Sequence, residues 1–276
     1  MSKIEQALRK ARNDKSANDQ DDHLEDHNQG AANQDKKRRP GRGRSLPALV
    51  QLEPCAHYDL EDDVLASNRI LSEEYPDLAL ASYKMLRTRV LQKMRINQWQ
   101  TLAITSPRDG AGKSLTAINL AIAMAAQGAQ DVYLMDLDLR RPEIGAKLGI
   151  PGFELDLGEC LAGRAPLDRV CCDVGIDRLF VLPSSQRQPN SSELISSPPL
   201  QGLLQRVRSM ANDPIVIIDL PAILTADDAL AISPWVDGFL LVVSESDTRR
   251  DDVTRSLEIL RDSNVMGVVL NKSNET

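Results

Sequence analysis

A chain of 276 residues is long enough for one large domain or two small ones, and its 42% hydrophobic residues with only 3% aromatics imply a core packed by aliphatic side chains. The formal net charge is -7, but residues 1–48 carry 11 Lys/Arg against 8 Asp/Glu, so the acidity belongs to the rest of the chain and argues against a specific nucleic-acid partner. Apolar runs fall short of the roughly 18 residues of a membrane span, the N-terminus lacks the apolar stretch of a signal peptide, and the four cysteines include no CxxC pair, so a cytoplasmic protein with reduced thiols is expected.

The first residues predict a short amphipathic helix over residues 1–12. Ser2 and Glu5 form a capping-box pattern, and Ile4 and Leu8 fall on one helical face. Helices of this length are marginal in water, so the segment either docks on a partner or forms only partly in isolation.

A disordered, charged linker is predicted over residues 13–48, because the composition is mainly Asp, Asn, Gln, Gly, Lys and Arg. The basic stretch at residues 36–44 either contacts an anionic membrane surface or an acidic partner, or is simply a solvated linker. Residues 49–74 are expected to be an irregular lead-in, followed by a folded domain over residues 75–276.

Within this domain, apolar strands alternate with amphipathic helices, after a first helix that follows Pro76. This alternation predicts an α/β fold, doubly wound, with a mainly parallel sheet and helices on both faces. The predicted strands are Thr101–Thr105, Val132–Asp136, Leu179–Pro183, Ile215–Asp219, Gly238–Val243 and Met266–Asn271. The predicted helices are Lys113–Gln127, Ser192–Met210, Thr225–Ser233 and Asp247–Arg261.

The segment TSPRDGAGKS lies between the first of these strands and a helix, which is the context of a phosphate-binding loop (P-loop). Gly110 and Gly112 allow the backbone to approach phosphates closely, Lys113 would contact the β- and γ-phosphates, and Ser114 would ligate Mg²⁺. The GxxxxGK[ST] pattern requires a glycine where this chain has Pro107, so the loop alone is compatible with a chance Gly-Lys-Ser at a helix start.

Carboxylates at two further strand ends strengthen the prediction. Asp136 and Asp138 follow the strand Val132–Asp136, and Asp219 ends the strand IVIID. Ligands of open α/β sheets bind at the carboxyl ends of the strands, where Asp136 and Asp219 would hold Mg²⁺ and Asp136 or Asp138 would accept a proton during phosphoryl transfer.

The order TSPRDGAGKS, DLDLRRP, PNSSELISSP, IIDLP with DDALA, VDGFLLVV and GVVLNK resembles the cytoplasmic kinase domain of bacterial tyrosine kinases of capsule and exopolysaccharide systems, within the partitioning-ATPase class. The resemblance covers residues 75–272. It implies a protein tyrosine kinase/ATPase that uses ATP and Mg²⁺, acts with a membrane chain-length regulator (a polysaccharide co-polymerase), forms homo-oligomers and lies against the inner face of the plasma membrane through that partner. It assigns catalysis to Lys113, Asp136 and Asp138, metal binding to Ser114, Asp136 and Asp219, and nucleotide binding to Asp109, Gly110, Ala111, Gly112, Lys113, Ser114, Leu115 and Asn271, the last of these at adenine.

Two features depart from this family. Its autokinases usually end in a tyrosine cluster, whereas this chain ends LNKSNET and its tyrosines are Tyr58, Tyr75, Tyr83 and Tyr133. The family's Glu-x-x-Arg-x-x-Arg helix, which packs subunits into rings, aligns with Ala81, Lys84 and Arg87, so only Arg87 matches and ring assembly is in doubt.

Three functions are therefore weighed. The leading one is a catalytic tyrosine kinase or ATPase of the exopolysaccharide type. The second is a partitioning-type nucleotide switch without tyrosine kinase activity, which the missing tyrosine tail favours, although Arg108 stands where dimerising relatives carry a second lysine. The third is a non-catalytic scaffold, which the retained carboxylates argue against.

Overall fold

The structure is a computed structural model that describes residues 56–71, 77–151, 156–166 and 169–273. The chain divides into two units, residues 1–50 and 51–276, and all the described residues belong to the second. The predicted helix at residues 1–12 and the predicted linker at residues 13–48 lie outside the described residues. Among the residues that are described, none of the helices is both long enough and apolar enough to cross a bilayer.

One eight-stranded sheet organises the described part of the chain. Its order is β1-β4-β5-β3-β6-β2-β7-β8, and every neighbouring pair is parallel except β4 and β5. The prediction of a doubly wound, mainly parallel α/β fold is confirmed. The strands are β1 Ala56–His57, β2 Thr101–Thr105, β3 Val132–Asp136, β4 Cys172–Asp173, β5 Leu179–Leu182, β6 Ile215–Asp219, β7 Gly238–Ser244 and β8 Val265–Asn271.

Helices cover both faces of the sheet, and the central strands are buried along their whole length. Successive residues of a strand enter different core clusters: Leu102 and Ile104 of β2 pack on one face, and Ala103 packs on the other. The helices are α1 Asp62–Ser67, α2 Asp77–Asn97, α3 Lys113–Ala125, α4 Ile144–Lys147, α5 Leu157–Leu161, α6 Ser191–Ile195, α7 Pro198–Arg208, α8 Asp228–Ile232 and α9 Arg250–Ile259.

The predicted helix Ser192–Met210 is two helices, α6 and α7. Ser197 is extended and caps α7, and Pro198 is its first residue. Proline lacks an N–H and disfavours helical backbone in the residue before it, so the chain starts a new helix here instead of continuing the old one. The apolar periodicity runs across the break because both helices bury their faces in the same core cluster.

The prediction of an irregular lead-in is wrong for residues 56–71, which contain β1 and α1. These residues are ordered by their contacts with the domain: Ile70 and Leu71 are buried, and Asn119 of α3 holds the backbone on both sides of the turn. The Asn119 side chain accepts a hydrogen bond from the Leu71 N–H at 2.9 Å and donates one to the Arg69 carbonyl at 3.1 Å. Short apolar segments of this kind have no periodicity of their own to detect.

Candidate functional site

The predicted P-loop joins the end of β2 to the start of α3. Gly110 and Gly112 have φ values of 82° and 92°, in the left-handed region that glycine adopts without strain. No side chain caps the N-terminus of α3 at Gly112, so its first N–H groups are available to an anion. These features fit a loop that wraps around phosphates.

Pro107 occupies the position where the simple motif has glycine, and the structure accommodates it. Its φ is not positive, so glycine is not required there. Its carbonyl accepts a hydrogen bond from the Leu224 N–H at 3.3 Å, and the Ser106 carbonyl accepts one from the Ile223 N–H at 2.9 Å. The start of the loop is thus tied to the segment that follows β6.

Three carboxylates surround the Lys113 amine at the carboxyl ends of β3 and β6. Asp136 and Asp219 are paired directly across these parallel strands. Lys113 Nζ lies 2.5 Å from Asp138 Oδ2 and 3.6 Å from Asp219 Oδ2. All four side chains are buried. The sequence prediction that these residues converge therefore agrees with the geometry.

The charges of this cluster depend on one another. Burial lowers the pKa of Lys113, but Asp219 and Asp138 outweigh burial, and the net effect raises that pKa above its ordinary value. Burial raises the pKa of Asp219 to about 6, although Lys113 opposes the shift. Burial and the neighbouring Asp219 likewise raise the pKa of Asp136 well above its usual range. One buried ammonium is thus the shared positive partner of several carboxylates, and the site has more acidic than basic groups.

The unused oxygens of the cluster fit a divalent cation. Asp136 Oδ1 and both carboxylate oxygens of Asp219 are buried without a hydrogen-bond partner. Asp136 Oδ2, by contrast, accepts from the N–H groups of Glu143 and Ile144, at 3.1 and 3.0 Å. Within the described residues, no group of three or more His, Cys, Asp or Glu side chains forms a metal site by itself. Mg²⁺ sites in phosphoryl-transfer proteins use a few carboxylate or hydroxyl ligands, and phosphates and water complete the coordination.

Two ion pairs fix the exposed side of the loop. Arg108 donates to both carboxylate oxygens of Asp252 in α9, at 2.7 and 2.9 Å, and thereby lowers the pKa of Asp252. Asp109 accepts from Arg141 Nη1 at 2.7 Å. Sequence reasoning missed Asp252, because nothing in the periodicity of α9 distinguishes a buried aspartate that pairs with a loop 144 residues away in the sequence.

A second arginine of the DLDLRRP segment lies in its own polar cluster. Arg140 Nε donates to Ser191 Oγ at 2.9 Å and contacts Asp228 Oδ2 at 3.3 Å. Asp228 is fully buried, and burial raises its pKa. Both partners lie in motifs that carry the family resemblance, Asp228 in DDALA and Ser191 in PNSSELISSP, but neither was predicted as a site residue.

The remaining predicted nucleotide ligands have distinct surroundings. Leu115 packs its side chain against the core. Asn271, the last residue of β8, donates from Nδ2 to the Ala111 carbonyl at 2.9 Å. The structure thus brings Asn271 to the P-loop itself, and its role at adenine stays a prediction.

The tyrosines differ in accessibility. Tyr133 is buried, stacks on Phe180 with ring centroids 5.1 Å apart, and has its pKa raised by burial to about 12. Tyr58 and Tyr83 are half-buried against the core. Tyr75 lies outside the described residues.

Comparisons with known proteins agree with this geometry. The model of the ParA family, described as NUBPL iron-transfer P-loop NTPase, matches residues 97–276. The tyrosine-protein kinase CpsD of Streptococcus agalactiae is 31% identical over 196 residues, which is 70% of this chain and 83% of that relative. The succinoglycan biosynthesis transport protein ExoP of Rhizobium meliloti is 32% identical over 190 residues, which is 66% of this chain and 23% of ExoP.

Solved structures give the same result. The kinase domain of Escherichia coli tyrosine kinase ETK superposes with a TM-score of 0.64 at 28% identity, over 81% of this chain and 91% of that one. The resemblance read from the motifs is confirmed: the chain belongs to the bacterial tyrosine kinases of capsule and exopolysaccharide systems, within the ParA class of P-loop NTPases.

Proposed function

We propose that the chain is an ATP- and Mg²⁺-dependent protein tyrosine kinase with ATPase activity, which regulates the polymerisation and export of an exopolysaccharide or capsule. The observation that carries this proposal is the buried cluster of Lys113 with Asp136, Asp138 and Asp219 at the end of the P-loop. A site that only bound phosphate would require the lysine and the loop but not the carboxylates. Buried carboxylates with unpartnered oxygens are the additional requirement of cation-assisted phosphoryl transfer.

The positions of the side chains support the following assignment of roles. The N–H groups at the start of α3 and the Lys113 ammonium hold the phosphates. Ser114, Asp136 and Asp219 would hold Mg²⁺, which would neutralise negative charge on the transferred group. Lys113 has to leave Asp138 in order to reach the phosphates. Its departure frees an Asp138 oxygen.

Asp138 is then the candidate base, with Asp136 as the alternative. The carboxylate accepts the proton of the tyrosine hydroxyl, the phenolic oxygen forms a bond to the γ-phosphorus, and the bond from that phosphorus to the β-γ bridging oxygen breaks. Asp138 Oδ1 meanwhile accepts a hydrogen bond from the Arg141 N–H at 3.0 Å, which fixes the orientation of the carboxylate. With water in place of tyrosine, the same groups support ATP hydrolysis.

The partner and the location are part of the proposal. We expect the chain to act with a membrane chain-length regulator, to assemble as a homo-oligomer and to lie against the inner face of the plasma membrane through that regulator. The similarity to ExoP supports this proposal, because the matched region is 23% of a protein named for polysaccharide biosynthesis and transport. The basic stretch at residues 36–44 would add contact with anionic lipid.

Incubation of the purified protein with Mg²⁺ and γ-labelled ATP tests the enzyme. We expect released phosphate and, with the membrane regulator present, labelled phosphotyrosine. Lys113→Met should abolish both, because it removes the ammonium that holds the phosphates. Lys272→Met, at an exposed lysine whose amine lies 3.4 Å from Asp247, is the matched control and should retain activity. Wild-type protein that neither releases phosphate nor labels tyrosine would contradict the proposal.

The partitioning-type switch remains the second candidate, and the burial of Tyr133 favours it. The pairing of Arg108 with Asp252 within one chain argues against it, since an arginine held in this way is not free to reach a second subunit. Light scattering with and without ATP separates the two: dimers that form on ATP without any phosphotyrosine would support the switch.

A further inference from the structure

Asn271 lies where the edge strand β8 meets the P-loop. Its backbone is fixed by the sheet, because it pairs with Ser244 of β7 and its carbonyl accepts from the Glu245 N–H at 3.0 Å. The next residue, Lys272, has a φ of 58°, so the chain turns away immediately after Asn271. The Asn271 side chain therefore starts from a fixed base.

From this base the amide contacts the loop at two adjacent residues. Nδ2 donates to the Ala111 carbonyl at 2.9 Å. The same nitrogen lies so close to Gly112 that a Cβ at that position would collide with it. Glycine at position 112 thus serves two purposes, since it permits the left-handed backbone and leaves room for the amide.

The hydrogen bond matters because of how a P-loop binds phosphate. Its N–H groups have to face the anion, so its carbonyl oxygens have to be directed elsewhere, where they need donors of their own. The Ala111 carbonyl belongs to the residue before the N-cap of α3, two residues before Lys113. A donor on this carbonyl fixes the peptide group between Ala111 and Gly112, and so fixes the direction of the Gly112 N–H.

We infer that Asn271 is a positioning residue for the phosphate-binding loop, which acts through the Ala111 carbonyl and supports binding of the phosphates whatever the base. This inference rests on the proposed function, because it assumes that the loop binds nucleotide phosphates. It differs from the adenine role that the family resemblance implies, and the two roles predict different ligand dependence.

Calorimetric titrations with ATP, GTP and inorganic tripolyphosphate, each with Mg²⁺, distinguish the roles. Asn271→Ala should reduce the affinity for every ligand that the wild-type protein binds, and by the same factor in each case, about 3- to 10-fold, as expected for one hydrogen bond. Asn271→Asp should reduce these affinities further, since it places an acceptor against the Ala111 carbonyl. Leu270→Ala, at an exposed neighbour on the same strand, is the control and should bind as wild type. Loss confined to ATP would overturn the inference in favour of adenine recognition, and unchanged binding would overturn it outright.

Hydrogen exchange of the nucleotide-free protein gives a readout that requires no ligand. Asn271→Ala should speed exchange in the peptide that covers residues 106–115, while Leu270→Ala should not. Unchanged exchange in this peptide would contradict the positioning role. If wild-type protein binds none of the three ligands, the proposed function fails instead, and the exchange measurement still decides whether Asn271 orders the loop.

Discussion

At the scale of single residues, Lys113 is the group on which the site depends. Its ammonium is the internal countercharge of Asp138 and Asp219. An uncompensated buried carboxylate is costly, so this arrangement offsets part of the cost of burying these carboxylates and keeps the lysine close to the loop. In the proposed mechanism the same ammonium moves to the phosphates, which its flexible four-carbon stem permits.

Substitution of Asp219 by Asn should raise the stability of the nucleotide-free protein at alkaline pH. The pKa of Asp219 is about 6 in the folded chain against an ordinary value of 3.8, so the fold favours the protonated carboxyl. Stability from this group is therefore fully present below pH 3.8 and is lost as the pH rises through about 6. Asn imitates the protonated form, and the gain at pH 8 should approach about 3 kcal/mol as an upper limit.

Urea unfolding at pH 4 and pH 8 in the presence of a chelator measures this effect. The difference between Asp219→Asn and wild type should be small at pH 4, should grow as the pH rises to about 6, and should be large at pH 8. Asp177→Asn, which changes a carboxylate that is 93% exposed, should show no such dependence. An Asp219→Asn protein that is less stable than wild type at pH 8 would disprove the assignment.

The positions of site residues could be predicted from the sequence where the fold forces the residues to converge. Strand ends in a parallel sheet meet at one edge, so Asp136 and Asp219 could be placed together from the sequence. Asp252 and the contact of Asn271 with Ala111 could not be found in this way, because they depend on how a helix or an edge strand packs against the loop, and that packing has no periodic signature.

At the scale of elements, α2 and α3 are joined by an arginine that the family resemblance places in subunit contacts. Arg87 Nη1 donates to the Ala123 carbonyl near the C-terminus of α3 at 3.2 Å, and Arg87 Nε is buried. A guanidinium at this end of a helix is favourable because the last carbonyls lack partners within the helix. The Arg87 side chain thus bonds to a carbonyl of its own chain, whereas the Lys84 side chain is exposed.

Removal of Arg87 should therefore destabilise the single chain. We expect Arg87→Ala to cost about 1–2 kcal/mol, because it removes one hydrogen bond and a half-buried side chain. Thermal unfolding should show a Tm lower by several degrees, and Lys84→Ala, three residues away on the exposed side, should leave the Tm unchanged. If Arg87→Ala alters sedimentation while its Tm stays at the wild-type value, the arginine serves subunit contacts instead.

Element boundaries show what local sequence can and cannot reveal. The strands β2, β3 and β6 are correctly predicted to the residue, because each is a short run of buried side chains at a sharp change of composition. The break between α6 and α7 was missed, although Pro198 was visible, because apolar periodicity continues through it. The structure of residues 56–71 was not predicted, because this segment is held by hydrogen bonds to Asn119, more than forty residues further along the chain.

At the scale of the whole molecule, residues 51–276 form a unit separate from residues 1–50. Among the residues that the structure describes, the two main core clusters lie within the larger unit. We expect a chain that starts at Gln51 to fold and bind nucleotide like the full chain. Its Tm and its affinity for ATP should lie within experimental error of the full-length values.

A start at Ser72 should give a different result from the start at Gln51. It removes Ile70, Leu71 and the partners of the buried Asn119, and should lower the Tm markedly. Equal stability of the two truncated chains would mean that residues 56–71 contribute nothing to the fold.

The ion pair of Lys113 with Asp138 also determines how the protein treats the small anions that surround it. Inorganic phosphate would have to draw the lysine away while it offers nothing to the carboxylates left behind. A nucleoside triphosphate that arrives with its magnesium ion would supply a negative partner for the lysine and a positive one for Asp136 and Asp219. We therefore expect the internal salt bridge to disfavour inorganic phosphate relative to a triphosphate that binds together with its cation.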